Sequence, residues 1–392
     1  MTARVAILAT IYRYLSHAQH FGDRFLVGYP YEGRWRHPGV EVVSMYVEQH
    51  PEGDQSTDRA REFGIELYQT VRGALCRGGD ELAVDAVLII AEHGDYDTNE
   101  LGQILYPRHD WFKQCVEVFE AAGRGVPVYN DKHLSYSFAK AREMVDDAGR
   151  LDFPLLAGSS LPVTWRLPQL ELEHGCQIEE ALMIGVGGSD PMDYHALEAM
   201  QCMIERRQGG ETGVAAVQLV DGEEVWRQLE GGRFSRRLLE AALSRCDSPK
   251  GLPEEDGRTI DLLSSGELQR LAQNPAAYLI EFRDGLQATL LMLNGAVGDF
   301  CFAASVAGLE ETVSCQFFLT PLPNVDYSAC LVAKIDEMIR NGVAPFPAER
   351  TMIVCGYLEA CLQSRHQGGA RLETPHLAVS YQAPDASHFA RV

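Results

Sequence analysis

Short apolar runs separated by stretches of helical spacing fill the first third of the chain. RVAILAT (4–10), VEVVSMYV (40–47) and a near-continuous apolar run at 85–91 read as strands, the last buried on both faces. VPVYNDKHLS (126–135) supplies a further strand and its exit loop. Helical patterns fall near 15–22, 56–63 and 110–122, the last with apolar Trp111, Phe112, Cys115, Val116, Val118 and Phe119. Strands alternating with helices predict a parallel sheet joined by right-handed crossovers.

From about residue 136 the pattern changes. A helix at 137–149 leads to strand-like FPLLAG (153–158) and then to EEALMIGVGG (179–188). The later runs AAYLIEFRDG, LQATLLMLNG, DFCFAASVAG and ETVSCQFFLT read as successive antiparallel strands, several ending in a glycine at a turn. Helices near 192–206, 326–341 and 348–365 are expected to pack on that sheet, with Met192, Leu197, Met200 and Met203 as core. Residues 246–275, rich in Asp, Glu, Gly, Pro and Ser, read as a surface excursion.

Composition narrows the function classes. A formal net charge of −22 over 392 residues argues against nucleic acid and against an anionic membrane surface, both of which reward a basic face. The ten cysteines show no CxxC pair or metal-type spacing, which suits reduced thiols and a cytoplasmic location better than a disulfide framework. No window approaches 18 uninterrupted apolar residues.

Three stretches carry a family resemblance. VDAVLII with VPVYNDKHLSYSFAKAREMVDDA, then GGSDPMDYHALEAMQCM, then NGVAPFPAERTMIVCGYLEACLQSRHQGG follow one another in the order seen in the Gfo/Idh/MocA oxidoreductases. The chain resembles that family over nearly its whole length. The resemblance implies an α/β fold: a Rossmann-like parallel-sheet domain over 1–135, then an α+β domain over 136–392 with a mainly antiparallel open sheet. It also implies NAD or NADP as cofactor, a small polar sugar- or polyol-like substrate, and pairing into a homodimer or homotetramer through the open sheet face.

The departures from the family pattern bear on function. Against its GxGxxGxxH, this chain reads ATIYRYLSH: Ala9, Ile11 and Tyr14 replace the glycines, and His17 matches the histidine. Those glycines permit a tight turn, close approach of a pyrophosphate and close helix–strand packing. A cofactor held here would meet Ala9, Thr10, Ile11 and Tyr12, with Glu48 near the ribose-binding acid. Ile11 would intrude on the pyrophosphate, and Tyr14 would hold the helix away from the strand.

For the catalytic positions the resemblance implies Lys132, from the family's Glu-Lys-Pro motif, and His195, from its Asp-x-x-x-His pair. Asp131 and His133 replace the flanking Glu and Pro. Pro191 occupies the family's aspartate position, so Asp190 or Asp193 would orient His195, with Asp190 ranked first and an ordinary helix cap as its other reading. The polar loop at 91–112 offers Glu92, His93, Asp95, Tyr96, Asn99 and Arg108 for substrate binding or as a lid. Arg166 offers a planar fork for an anion, or a buried structural ion pair.

Three readings stay open. The first is an oxidoreductase moving hydride between a nicotinamide and a hydroxyl-bearing carbon, with Lys132 and His195 handling the proton. The second is a non-redox lyase, isomerase or hydrolase in which the 92–109 loop fills the former cofactor space. It includes a divalent-metal version using His17, His20, His133 and the loop. The third is a binding or scaffold protein without catalysis.

Overall fold

The computed structural model describes residues 2–188, 190–247 and 262–391. Six parallel strands form the N-terminal sheet: Ala3–Ala9, Val40–Val47, Glu66–Tyr68, Ala86–Ile90, Val128–Asp131 and Leu155–Gly158. Their spatial order is third, second, first, fourth, fifth, sixth. This doubly wound order leaves a crevice at the carboxyl ends of the first and fourth strands.

Strict alternation explains why both faces are covered. Val5, Ile7 and Ala9 join one core with Phe21, Phe25, Ile335 and Met338, whereas Ala6 and Leu8 join another with Leu75, Phe112 and Cys115. The helix Tyr327–Asn341 therefore lies on the parallel sheet, where the sequence placed it on the antiparallel one. Its apolar spacing is the same for either sheet, so periodicity could not choose. The sixth strand, Leu155–Gly158, likewise carries the parallel sheet past residue 135.

The second sheet has eight strands, in the order Leu372–Glu373, Val214–Asp221, Ala276–Phe282, Gln287–Met292, Ile178–Gly185, Phe300–Val306, Val313–Phe318 and Trp165–Leu167. All neighbours are antiparallel except Ile178–Gly185 with Gln287–Met292. Ala181 and Met183 face the helices Asp190–Ile204 and Ala348–His366. Leu182 and Ile184 face the opposite way, against Trp226, Leu238, Leu239 and Leu268.

Both faces of this sheet are thus covered by the chain's own helices. The second cover comprises Glu223–Glu230, Arg236–Leu243 and Glu267–Leu271. Of the expected excursion at 246–275, residues 248–261 lie outside the described residues. Leu262, Leu263 and Leu268 are buried against the sheet rather than at the surface.

Candidate functional site

The turn after the first strand achieves tight packing without the glycine pattern. Tyr12 is fully buried, donates its hydroxyl to Asp23 Oδ1 at 2.9 Å, and lies against Gly22 of the helix His17–Val27. The missing side chain is on the helix, not in the turn. Tyr14 is 61% exposed, so it does not hold the helix away from the strand as the sequence reading had it. Leu15, with φ of 60°, turns the chain into the helix. Ser16 Oγ then accepts from the amides of Arg13 and Gln19, both at 3.2 Å, and Gln19 Oε1 accepts from the Leu15 amide at 3.1 Å. Of the N–H groups that the helix start offers to an anion, that of Gln19 is already bonded to Ser16 of the turn.

A second element crosses the crevice. After the fourth strand the backbone passes over the end of the first, where Thr10 Oγ1 donates to the Glu92 carbonyl at 2.9 Å. It then reaches the end of the second strand, where Gln49 and Asp95 exchange two hydrogen bonds at 3.1 and 2.9 Å and the Tyr96 hydroxyl donates to the Glu48 carboxylate. Residues 92–96 thus form a strap over the switch point. Gly94, with φ of 108°, supplies the bend; a Cβ there would stand 2.8 Å from the Tyr96 ring.

Beneath the strap lies a buried ionic cluster. Lys132 Nζ donates to Glu92 Oε1 at 2.8 Å, and Arg108 donates to Glu92 Oε2. All three are at least 95% buried. Burial alone would raise the Glu92 carboxyl, but the Lys132 and Arg108 charges hold it well below the usual carboxylate range. Lys132 sits at φ of 56° immediately after the fifth strand, and its amide bonds the Gly158 carbonyl at 3.2 Å. This strained exit aims its side chain back across the strand ends toward Glu92.

Four imidazoles adjoin this cluster. His17 Nδ1 lies 2.7 Å from Oδ2 of the fully buried Asp131, whose Oδ1 receives the Tyr129 hydroxyl at 3.2 Å. The His17 ring stacks on His20 at 5.9 Å and meets His93 edge-on at 5.2 Å. Burial, aided by the His17 charge, lowers His20 to about 3 and His93 to about 4. Burial and the charge of Lys132 push His195 well below the ordinary imidazole value. His93 Nδ1, His195 Nδ1 and His20 Nε2 are buried without a hydrogen-bond partner among the described residues.

The helix Asp190–Ile204 brings its own groups to this edge. Asp190 does not orient His195. Its Oδ2 is 2.9 Å from His133 Nε2, and its Oδ1 accepts from Gln103 at 3.3 Å, tying the helix start to the exit of the fifth strand and to the loop. Asp193 turns to the second sheet, where the Tyr278 hydroxyl donates to it at 2.5 Å; burial raises its carboxyl to about 6. Its position, two residues from His195, reverses the direction it faces on the helix. Arg166 donates to the Leu170 carbonyl at 3.1 Å and lies over Phe317 and Phe389, sharing no partner with the cluster. Among the described residues, no group of three or more His, Cys, Asp or Glu is arranged to hold a metal ion.

No protein-family model matches the chain, and no curated protein does. Solved structures match it across its length. GenD2 from gentamicin A biosynthesis, in complex with NAD, is 16% identical with a TM-score of 0.58, covering 95% of this chain and 96% of that one. Scyllo-inositol dehydrogenase from Lactobacillus casei, with bound NAD(H) and scyllo-inositol, is 10% identical with a TM-score of 0.56, covering 95% and 99%. Myo-inositol 2-dehydrogenase from Lactobacillus plantarum gives 11% and 0.56 over the same shares. The chain has the Gfo/Idh/MocA fold.

The groove where a fold of this kind holds a dinucleotide does not fit one here. Each residue expected to meet the cofactor has another role. Ala9 and Ile11 are core, Thr10 holds the strap, Tyr12 fills the space over Gly22, and Glu48 holds Tyr96. The sequence reading missed Asp131 as a partner of His17. The aligned His17 was the available signal, but strand and helix are joined there by a contact 114 residues apart in the chain.

Proposed function

We propose that this protein is an acid–base enzyme acting on a hydroxyl-bearing, polyol- or sugar-like small molecule without a nicotinamide. The observation that carries this reading is the strap at 92–96, bonded to Thr10, Glu48 and Gln49 across the dinucleotide crevice. The chemistry left at the edge is one of protons. Imidazoles with unpartnered nitrogens both donate to and accept from hydroxyl groups, and the Lys132 ammonium stabilises an oxyanion developing on a substrate. His195 meets the substrate hydroxyl, while His133 and Asp190 hold the two walls of the cleft together.

The test is thermal melting of the purified protein titrated with NAD⁺, NADH, NADP⁺ and NADPH, and in parallel with inositols and unphosphorylated sugars. The expected result is stabilisation by a polyhydroxylated compound and none by the dinucleotides. A saturable shift with any dinucleotide overturns this reading.

An oxidoreductase is the second reading. Its support is that GenD2 and the Lactobacillus casei enzyme were solved with nicotinamide cofactors on this fold. It requires the strap to open.

A further inference from the structure

We infer that His17 is the base that removes and returns the substrate proton, positioned by the buried carboxylate of Asp131; this rests on the acid–base reading above. Three features of the geometry separate His17 from the other imidazoles of the cluster. First, it has an anion at hydrogen-bond distance, Asp131 Oδ2 at 2.7 Å. That carboxylate is fully buried and fixed on its other oxygen by Tyr129; burial, the largest effect, would raise it, but the charge and hydrogen bond of His17 together with the charge of Lys132 hold it below its usual value. An ionised buried carboxylate needs a donor, so the proton of a neutral His17 resides on Nδ1 and its lone pair on Nε2.

Second, the ring spans from closed to open space. Asp131 has no side-chain exposure, whereas the His17 side chain keeps 20%. Nε2 makes no hydrogen bond among the described residues. Third, burial and the charge of His17 lower the flanking His20 to about 3 and His93 to about 4, which favours their neutral forms. His50 also pairs with a carboxylate, Asp54 at 2.8 Å, but it is half exposed and makes no hydrogen bond or ion pair with the cluster among the described residues. It serves as an internal control.

The step needs no redox partner. A proton on the carbon beside a substrate carbonyl passes to His17 Nε2, and the C–H bonding pair moves into an enolate whose oxygen is stabilised by the Lys132 ammonium. After the hydroxyl proton on that carbon has passed to the enolate oxygen, the imidazolium, held by Asp131, returns its proton to the adjacent carbon, and the first carbon becomes the carbonyl. The net change is isomerisation of a hydroxy-carbonyl polyol; return to the original carbon gives only exchange of that hydrogen with solvent. Asp131 acts through His17 and is a positioning residue.

Two measurements test this. Nitrogen-15 spectra of histidine-labelled protein at pH 8, with the His17 signals assigned through His17→Gln, should show the Nδ1–H tautomer, and Asp131→Asn should lose it. An Nε2–H tautomer in the wild type overturns the inference; where His17→Gln fails to fold, the His17 signals are assigned instead by through-bond correlation to the sequentially assigned backbone. The second is deuterium incorporation from D₂O into a panel of unphosphorylated ketoses and cyclic polyol ketones. Wild-type protein should label at least one of them, and His17→Gln should slow that labelling at least about 100-fold while His50→Gln leaves it unchanged. Labelling that survives in His17→Gln overturns the inference and leaves the acid–base reading standing. No labelling of any probe overturns the C–H step. Nicotinamide-dependent turnover overturns the acid–base reading itself.

Discussion

Tyr12 and Gly22 face each other so closely that a Cβ on Gly22 would stand 2.4 Å from the Tyr12 hydroxyl oxygen. Tyr12 cannot give way, because it is fully buried and its hydroxyl is bonded to Asp23, which Arg59 holds at 2.8 and 3.0 Å. In a helix interior Gly→Ala ordinarily gains up to about 1 kcal/mol. Here the overlap costs about 1–3 kcal/mol and wins. Gly22→Ala should therefore lower the denaturant midpoint. Gly149→Ala, on an exposed helix face with nothing within 4 Å, should raise it slightly.

Glu92 is the shared anion of two buried cations, so its loss and the loss of Lys132 are unequal. Lys132→Met leaves a neutral Glu92–Arg108 pair. Glu92→Gln leaves two cations buried side by side, and removal of one partner from a buried pair costs about 3–5 kcal/mol. Urea unfolding should therefore show Glu92→Gln as the more damaged variant. Equal losses would mean that Arg108 or Lys132 finds another anion.

Two buried groups give stability opposite slopes with pH. The unfolded chain protonates His20 near 6.5, while the folded chain waits until about 3, so the unfolded state binds more protons in between and stability falls as pH falls. From pH 7 to 5 the contribution is at most about 2 kcal/mol. Glu198 works the other way. Burial, only partly offset by Ser159, raises its carboxyl from 4.5 to about 7, so the folded state keeps a proton that the unfolded state releases. Its contribution is full below about 4.5 and is lost as pH rises to 7. Melting curves at pH 5 and 7 should show a smaller acid loss in His20→Gln than in wild type, and a smaller alkaline loss in Glu198→Gln.

The strap gives a gain-of-function expectation. Tyr96→Ala removes its bond to Glu48 and its edge contact with Tyr106, whose ring centroids lie 5.4 Å apart. If closure of the strap excludes dinucleotides, this variant should show weak NAD(H) binding by fluorescence or calorimetry where wild type shows none. If neither binds, the turn at Tyr12 and Ser16 is itself sufficient to exclude them.

Much of the fold was legible because alternation along the strands records which faces are buried. Val5, Ile7 and Ala9 against Ala6 and Leu8 show it directly. The resemblance set Lys132 at the end of a parallel strand, and it lies immediately after the fifth. Partnerships were not legible. Asp190 was set beside His195 by sequence spacing, yet it bonds His133, 57 residues away. Tyr14 was read as a wedge because it aligned with a glycine, but it is exposed, and Tyr12 is the buried ring. Spacing along a chain carries periodicity, but it does not carry pairs made by tertiary closure.

The helical cover on the second sheet changes what the molecule needs from its neighbours. Pairing through an open sheet face was expected by analogy, but here Leu182, Ile184, Leu279 and Leu291 on that face are sealed by Trp226, Leu238 and Leu239 of the same chain. Those four side chains are already buried within one chain and need no second copy to cover them. The melting temperature should accordingly stay constant on dilution from micromolar to nanomolar protein, the behaviour of a self-sufficient fold.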